Sequence, residues 1–224
     1  MPLIPFLGLH DPVASASHLL AAVASLAGAF FLLKKARGDA LRVSALLIFS
    51  ATLLFLFSMS GVYHALEPGR WRILFRRLDY ASIWLVIAGS ATAVHQLLLA
   101  GHWRWGLTSL FWGAAITCLV LIDVYFARLP YWSIVGAYLA LGSLGTVSFM
   151  KISERHGWRE AALLFLGGLA YSTGAVIDWL DRPVIIAGVI GPHELFHGLV
   201  VLGAALHWRF IYDWADGALR AKSL

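Results

Sequence analysis

Two histidines that lie four residues apart are the part of the sequence best suited to metal chemistry. His193 and His197 belong to the segment GPHELFHG, in which Pro192 indicates the first turn of a helix. Residues four apart share one helical face, with Cβ atoms roughly 5–6 Å apart. Two imidazole nitrogens can therefore reach one ion, and without an ion the apolar helix would carry two costly polar side chains.

A third imidazole and two further polar side chains complete a candidate site. His64 ends the segment SMSGVYH, Ser60 precedes it by one helical turn on the same face, and Asp79 lies in RRLDYASIW. Three imidazoles and a water molecule form the open type of zinc site that enzymes use, and zinc suits imidazole better than magnesium or calcium does. We predict that His64, His193 and His197 bind zinc and that Asp79 orients a zinc-bound water or a ligand imidazole.

Other interpretations of the same residues stay open. A single serine or histidine inside a membrane more often hydrogen-bonds a neighbouring helix, and Asp79 could pair with Arg76 or Arg77 at the headgroup level. The segment HELFH also matches the HExxH pattern of metalloproteases, in which the glutamate is the general base. Glu194 equally suits the first turn of a helix, where a carboxylate is favoured.

The composition requires a helical membrane protein. Of 224 residues, 60% are hydrophobic and 13% are charged, and the single cysteine, Cys118, excludes both a disulfide framework and a Cys-x-x-Cys metal site. A membrane-spanning helix needs about 20 mostly apolar residues. We predict an all-α, seven-transmembrane bundle that forms one domain over residues 1–224. The predicted spans cover residues 13–33, 42–65, 78–100, 104–126, 130–150, 160–179 and 192–213.

The basic residues lie between the predicted spans. This position is typical of loops beside membrane helices, so the net charge of +5 does not indicate nucleic-acid binding. The positive-inside rule favours an outside N-terminus, although the four arginines of segment 67–77 (EPGRWRILFRR) argue for the reverse. The same segment mixes arginine with apolar residues, which predicts a short amphipathic stretch along the membrane interface.

The direction of each span predicts which polar side chains meet. In an antiparallel bundle, odd spans begin and even spans end on the side of the N-terminus. We expect six polar candidates on that side: His18, His64, Asp79, Asp178, His193 and His197. His95 and Asp123 are assigned to the opposite side and His207 lies further along the seventh span, so these three are predicted to lie outside the site.

The set Ser60-x-x-x-His64, Asp79 and His193-x-x-x-His197 on seven spans resembles the hemolysin III family, the bacterial relatives of the progestin and adipoQ receptors. The resemblance covers nearly the whole chain, including the opening segment DPVASASHLLAAV, where His18 matches the family's first-span histidine. The wider superfamily includes the alkaline ceramidases, which share this arrangement. The resemblance implies that the three histidines bind zinc, that Asp79 holds the zinc water, and that Ser60 assists at the metal.

Several classes of function are compatible with these residues. The leading prediction is a zinc-dependent hydrolase whose substrate is a membrane lipid with an amide or ester bond. The alternatives are a receptor-like or structural protein stabilised by zinc, an intramembrane metalloprotease, and a cytolysin, which the family's name suggests. A pore is disfavoured because the spans offer no continuous hydrophilic stripe. We expect a multi-pass protein of the cell membrane, and the resemblance to adiponectin receptors implies a cytoplasmic N-terminus, against the charge distribution.

Overall fold

The chain folds into helices joined by short connections. The computed structural model describes residues 8–36, 38–125 and 128–217, so residue 126, the predicted end of the fourth span, lies outside the described residues. The helices are α1 (Pro12–Lys35), α2 (Ala40–Ala65), α3 (Arg70–Leu98), α4 (Gly101–Tyr125), α5 (Tyr131–Ser143), α6 (Gly145–His156), α7 (Trp158–Leu180) and α8 (Pro192–Trp214).

The described residues contain seven spans, as predicted, because α5 and α6 together form the fifth. The third span differs most from its predicted bounds, since α3 begins at Arg70 and runs for 29 residues. At 1.5 Å per residue α3 is about 43 Å long, which exceeds the hydrocarbon thickness of about 30 Å. Segment 67–77 is therefore not a separate interfacial stretch, and its arginines belong mainly to the first two turns of α3.

Local sequence signals explain several helix ends. Pro12 and Pro192 are the first residues of α1 and α8, where a missing N–H group costs nothing. The Asp39 side chain accepts a hydrogen bond of 3.0 Å from the Arg42 backbone N–H and thereby caps α2. Gly157 separates α6 from α7 with a φ of 90°, a conformation that favours glycine.

The fifth span is interrupted at Leu144, which the apolar pattern did not predict. Around this residue the backbone makes tighter contacts, from Leu144 N to Leu141 O at 3.2 Å and from Val147 N to Leu144 O at 3.0 Å. Gly142 and Gly145 flank the break, and glycine inside a helix is destabilising relative to alanine. The interruption lies near the middle of the fifth span, Tyr131–His156.

Two helix arrangements position the polar side chains. The third span is central, with 67% of its most apolar window buried against 44% or less in the other spans. Helices α7 and α8 pack backbone to backbone, since a Cβ at Gly167 would lie 3.1 Å from the Gly203 carbonyl oxygen. This close crossing places the end of α7 beside the start of α8.

Candidate metal centre

Three imidazoles meet where α2 ends and α8 begins. The Nε2 atom of His193 lies 3.3 Å from Nε2 of His64 and 3.2 Å from Nε2 of His197. One nitrogen from each of the three rings lies within 4.8 Å of the others. His64 and His197 are buried. The structure thus brings together the three histidines that the sequence singled out, in an arrangement compatible with a metal site.

The outward nitrogens of two of these rings contact carboxylates. Nδ1 of His64 lies 2.9 Å from Asp11 Oδ2, and Nδ1 of His193 lies 2.8 Å from Asp178 Oδ1. Because an ionised carboxylate only accepts hydrogen bonds, this network assigns the ring proton to Nδ1 in both histidines. The facing Nε2 atoms then carry lone pairs with no proton between them. A cation that prefers imidazole ligands fits this donor set, and carboxylate–histidine–metal chains commonly orient such ligands.

Asp11 is a site residue that the sequence analysis missed. It directly precedes α1, its backbone N–H donates to the His64 carbonyl at 2.9 Å, and its carboxylate accepts from Arg72 at 2.6 Å. Burial alone would raise the pKa of Asp11, but hydrogen bonds from His64 and Arg72 outweigh burial and hold the pKa below its ordinary value. Because Asp11 lies just outside an apolar run, the sequence analysis did not identify it as a polar residue within a span.

Asp178 lies on the predicted side and orients His193. Its carboxylate also accepts a hydrogen bond from the Tyr131 hydroxyl at the start of α5. The contacts to the outward nitrogens of His64 and His193 therefore come from Asp11 and Asp178. Asp79 instead lines a neighbouring cavity, where the Ser60 hydroxyl is its hydrogen-bond partner. Arg77, one of the two arginines considered as partners of Asp79, forms an ion pair with Asp123 at 3.7 Å.

His18 also belongs to this centre. Its ring is buried and stacks on His197 with centroids 3.9 Å apart and planes inclined by 27°. The His18 ring also makes an edge contact with Phe57, at 5.1 Å between centroids. The prediction that His18 lies on the same side as the three candidate ligands is confirmed.

The remaining polar candidates lie outside the centre, as predicted, but one of them was assigned to the wrong side of the membrane. His95 contacts Ser148 Oγ at 2.7 Å, and His207 donates to the Leu164 carbonyl at 3.1 Å, both in the other half of the bundle. The assignment of Asp123 to that half was wrong. The fourth span is even and ends on the side of the N-terminus, where Asp123 pairs with Arg77. Its side chain is 61% exposed and does not join the cluster.

A cavity of about 190 Å³ adjoins the imidazoles on their membrane side. Its polar wall is formed by His18, Ser60, Asp79, Asp178, His193 and His197. Most of the other lining side chains are aliphatic or aromatic and come from α2, α3, α5, α7 and α8, with Tyr63, Tyr80 and Tyr131 towards the metal-side ends of their helices. Such a cavity presents a polar group at one end and apolar surface along its length.

Comparison with known protein families gives a match over most of the chain. The family model described as "Haemolysin-III related" matches residues 8–208. The chain belongs to this family. The resemblance to hemolysin III proteins is therefore confirmed, and a multi-pass integral membrane protein follows from family membership and the seven apolar helices.

Individual relatives of this hemolysin III protein agree with that assignment. Hemolysin-3 of Bacillus cereus is 26% identical over 202 residues, which cover 88% of this chain and 89% of the relative. The hemolysin-3 homolog of Bacillus subtilis (strain 168) is 24% identical over 169 residues, or 75% and 76% of the two chains. The adiponectin receptor protein of Drosophila melanogaster is 26% identical over 172 residues, 68% of this chain and 37% of the receptor.

Proposed function

We propose that this hemolysin III protein is a zinc-dependent hydrolase of an amide or ester bond in a membrane lipid. One observation carries the proposal. The three converging imidazoles adjoin a cavity that contains Ser60 and Asp79 at its polar end and is otherwise largely apolar. A site that only tied helices together would need neither the cavity nor these two side chains.

The chemistry of the donor set supports zinc in this role. His64, His193 and His197 would hold the ion, and three protein ligands are the number that catalytic zinc sites use. Zinc held in this way lowers the pKa of a bound water to about 7 and polarises a carbonyl group. Asp11 and Asp178 keep the Nδ1 proton on two of the imidazoles and thereby present Nε2 to the ion.

Ser60 and Asp79 supply the remaining groups that hydrolysis requires. The Asp79 carboxylate can accept a proton from the attacking water and return it to the leaving amine or alcohol. The buried Ser60 hydroxyl donates to Asp79 while that carboxylate is ionised. Once Asp79 has taken the proton of the attacking water, Asp79 can donate to Ser60, and the Ser60 O–H is then free to donate to the substrate carbonyl oxygen as negative charge develops there. The contact between the two side chains holds both at the cavity wall.

The depth of the centre favours a lipid substrate. His64 is the penultimate residue of α2 and His193 is the second residue of α8, so both lie near the ends of membrane spans. A lipid can therefore keep its acyl chain in the apolar cavity while its amide or ester group reaches the imidazoles.

A lipid-hydrolysis screen tests the proposal. Wild type is compared with Asp79→Asn and Ser60→Ala, neither of which removes an imidazole. Loss of one oxyanion donor typically lowers turnover by about 10²–10³, and we expect a decrease of that order for Ser60→Ala. Asp213→Asn is the control, because Asp213 pairs with Arg209 at the far end of α8. Absence of turnover by wild type, or full activity in both site variants, would refute the proposal.

A structural role for zinc is the second candidate. His64 and His193 come from α2 and α8, and their carboxylate partners Asp11 and Asp178 lie just before α1 and near the end of α7. An ion at this position would join these elements. The protease alternative has less support, because Glu194 Oε2 accepts from the Gly191 backbone N–H at 2.9 Å and caps α8.

A further inference from the structure

A second cavity of about 90 Å³ lies deeper in the bundle than the metal-side cavity. Along α3, the metal-side cavity is lined from Asp79 to Ile87, and the second cavity from Val86 to His95. The fifth span, α7 and α8 show the same order. In the fifth span, for example, Gly142 lines the metal-side cavity and Gly145 lines the second cavity. The two cavities therefore follow one another along the membrane normal.

Three side chains line both cavities: Val86, Ile87 and Tyr171. Tyr171 is the largest of them and its ring is held in place. A Cβ at Gly203 would lie only 2.9 Å from its Cε1 atom, and His207 contacts the ring edge at 5.3 Å between centroids. Tyr171 is therefore the bulkiest side chain at the boundary between the two cavities.

The second cavity offers apolar surface, although two histidines border it. Both nitrogens of His95 are engaged, by Thr108 Oγ1 at 3.2 Å and Ser148 Oγ at 2.7 Å. Nε2 of His207 donates to the Leu164 carbonyl. The other lining groups include Val94, Phe111 and Leu164. The cavity therefore suits a hydrocarbon tail better than a polar headgroup.

The two cavities together match an extended acyl chain. With a rise of 1.5 Å per residue, the path along α3 is about 12 Å from Asp79 to Ile87 and about 24 Å from Asp79 to His95. Removal of the Tyr171 ring would therefore roughly double the length available to a chain whose polar end lies at Ser60 and Asp79.

We infer that Tyr171 sets the length of the acyl chain that this protein accepts, because its ring closes the metal-side cavity. The inference rests on the proposed function, in which that cavity holds the chain of the lipid substrate. Wild type accepts chains that end at Tyr171. A variant without the ring accepts chains that continue into the second cavity.

The test is binding of saturated fatty acids of increasing chain length, measured by displacement of a fluorescent fatty acid from the purified full-length protein. We expect Tyr171→Ala to move the optimum to longer chains, with roughly a tenfold gain in affinity for every two methylene groups newly buried. Tyr171→Phe keeps the ring and should match wild type. An unchanged optimum in folded Tyr171→Ala would overturn the inference.

Two further variants keep the test decisive. Adding Ala91→Phe to Tyr171→Ala fills the second cavity and should restore the wild-type optimum. Gly168→Leu adds a side chain within the metal-side cavity, where a Cβ meets nothing within 4 Å, and should move the optimum to shorter chains. If Tyr171→Ala does not fold, Gly168→Leu decides, and an unchanged optimum in that variant overturns the inference.

The same variants separate this inference from the proposed function. A chain-length shift in binding without hydrolysis of any lipid would refute the hydrolase and leave the role of Tyr171 supported. Hydrolysis whose chain-length profile is the same in wild type and Tyr171→Ala would overturn the inference and leave the hydrolase supported.

Discussion

At the scale of single residues, two carboxylates determine how the imidazoles face one another. Asp11 and Asp178 each accept from an Nδ1–H group, so the Nε2 lone pairs of His64 and His193 converge. Arg72 in turn neutralises Asp11 and packs over the Tyr63 ring at 4.8 Å. The geometry of the candidate ligands therefore depends on side chains that do not themselves reach the centre.

Asp11→Asn should weaken zinc binding by about 10- to 100-fold, because it replaces the carboxylate that orients His64. Asp39→Asn is a matched control, since Asp39 also precedes a helix and pairs with an arginine, Arg42, but lies at the opposite end of α2 from His64. Zinc affinity is measured by competition with a chelator. Equal affinities for Asp11→Asn and wild type would show that Asp11 has no role in zinc binding.

At the scale of helices, the crossing of α7 and α8 positions residues of the candidate metal centre. Gly167 and Gly203 allow the two backbones to touch, and the crossing sets Asp178 against His193. A Cβ at Gly167 would overlap the His207 ring and lie in tight contact, at 3.1 Å, with the Gly203 carbonyl oxygen. The adjacent Gly168 lines the metal-side cavity, where a Cβ would meet nothing within 4 Å.

Gly167→Ala should therefore destabilise the bundle by about 1–3 kcal/mol, the usual cost of overpacking. Gly168→Ala adds the same methyl group to the same helix without a clash, and alanine favours helix over glycine, so it should be neutral or stabilising. Thermal unfolding in detergent compares the two. A Gly167→Ala protein as stable as Gly168→Ala would contradict the proposed packing.

The helices differ in how well the sequence predicts them. Apolar runs indicated all seven spans because the bilayer requires about 20 such residues in each. The break at Leu144 was missed, since the whole segment from Tyr131 to His156 is apolar enough to read as one helix. The start of α3 was missed because hydropathy does not reveal that a helix continues through arginine-rich turns beyond the hydrocarbon.

The candidate site was predictable where a polar side chain interrupts an apolar run. His64, Asp79, His193 and His197 stood out for this reason, and span direction placed them together. Asp11 did not stand out, because it precedes its span and its partner His64 is 53 residues away. Asp123 was assigned to the wrong side although the direction of its span points to the side of the N-terminus.

At the scale of the whole molecule, the seven spans of the described residues imply that α1 begins and α8 ends on opposite sides of the membrane. Reporter fusions at both ends should give opposite results. They also decide between the outside N-terminus that the charge distribution favours and the cytoplasmic N-terminus that the resemblance to adiponectin receptors implies. Two ends on one side would contradict the bundle and the site that depends on its span directions.

The central claim is a zinc ion on three imidazoles with a coordination position left for water. Zinc X-ray absorption of the purified protein tests it most directly, with His197→Ala as the depleted variant and His95→Ala as the control that keeps its metal. We predict zinc bound by three imidazole nitrogens and one oxygen from water. Absence of zinc from wild type, unchanged zinc in His197→Ala, or a fourth ligand from the protein would contradict the account.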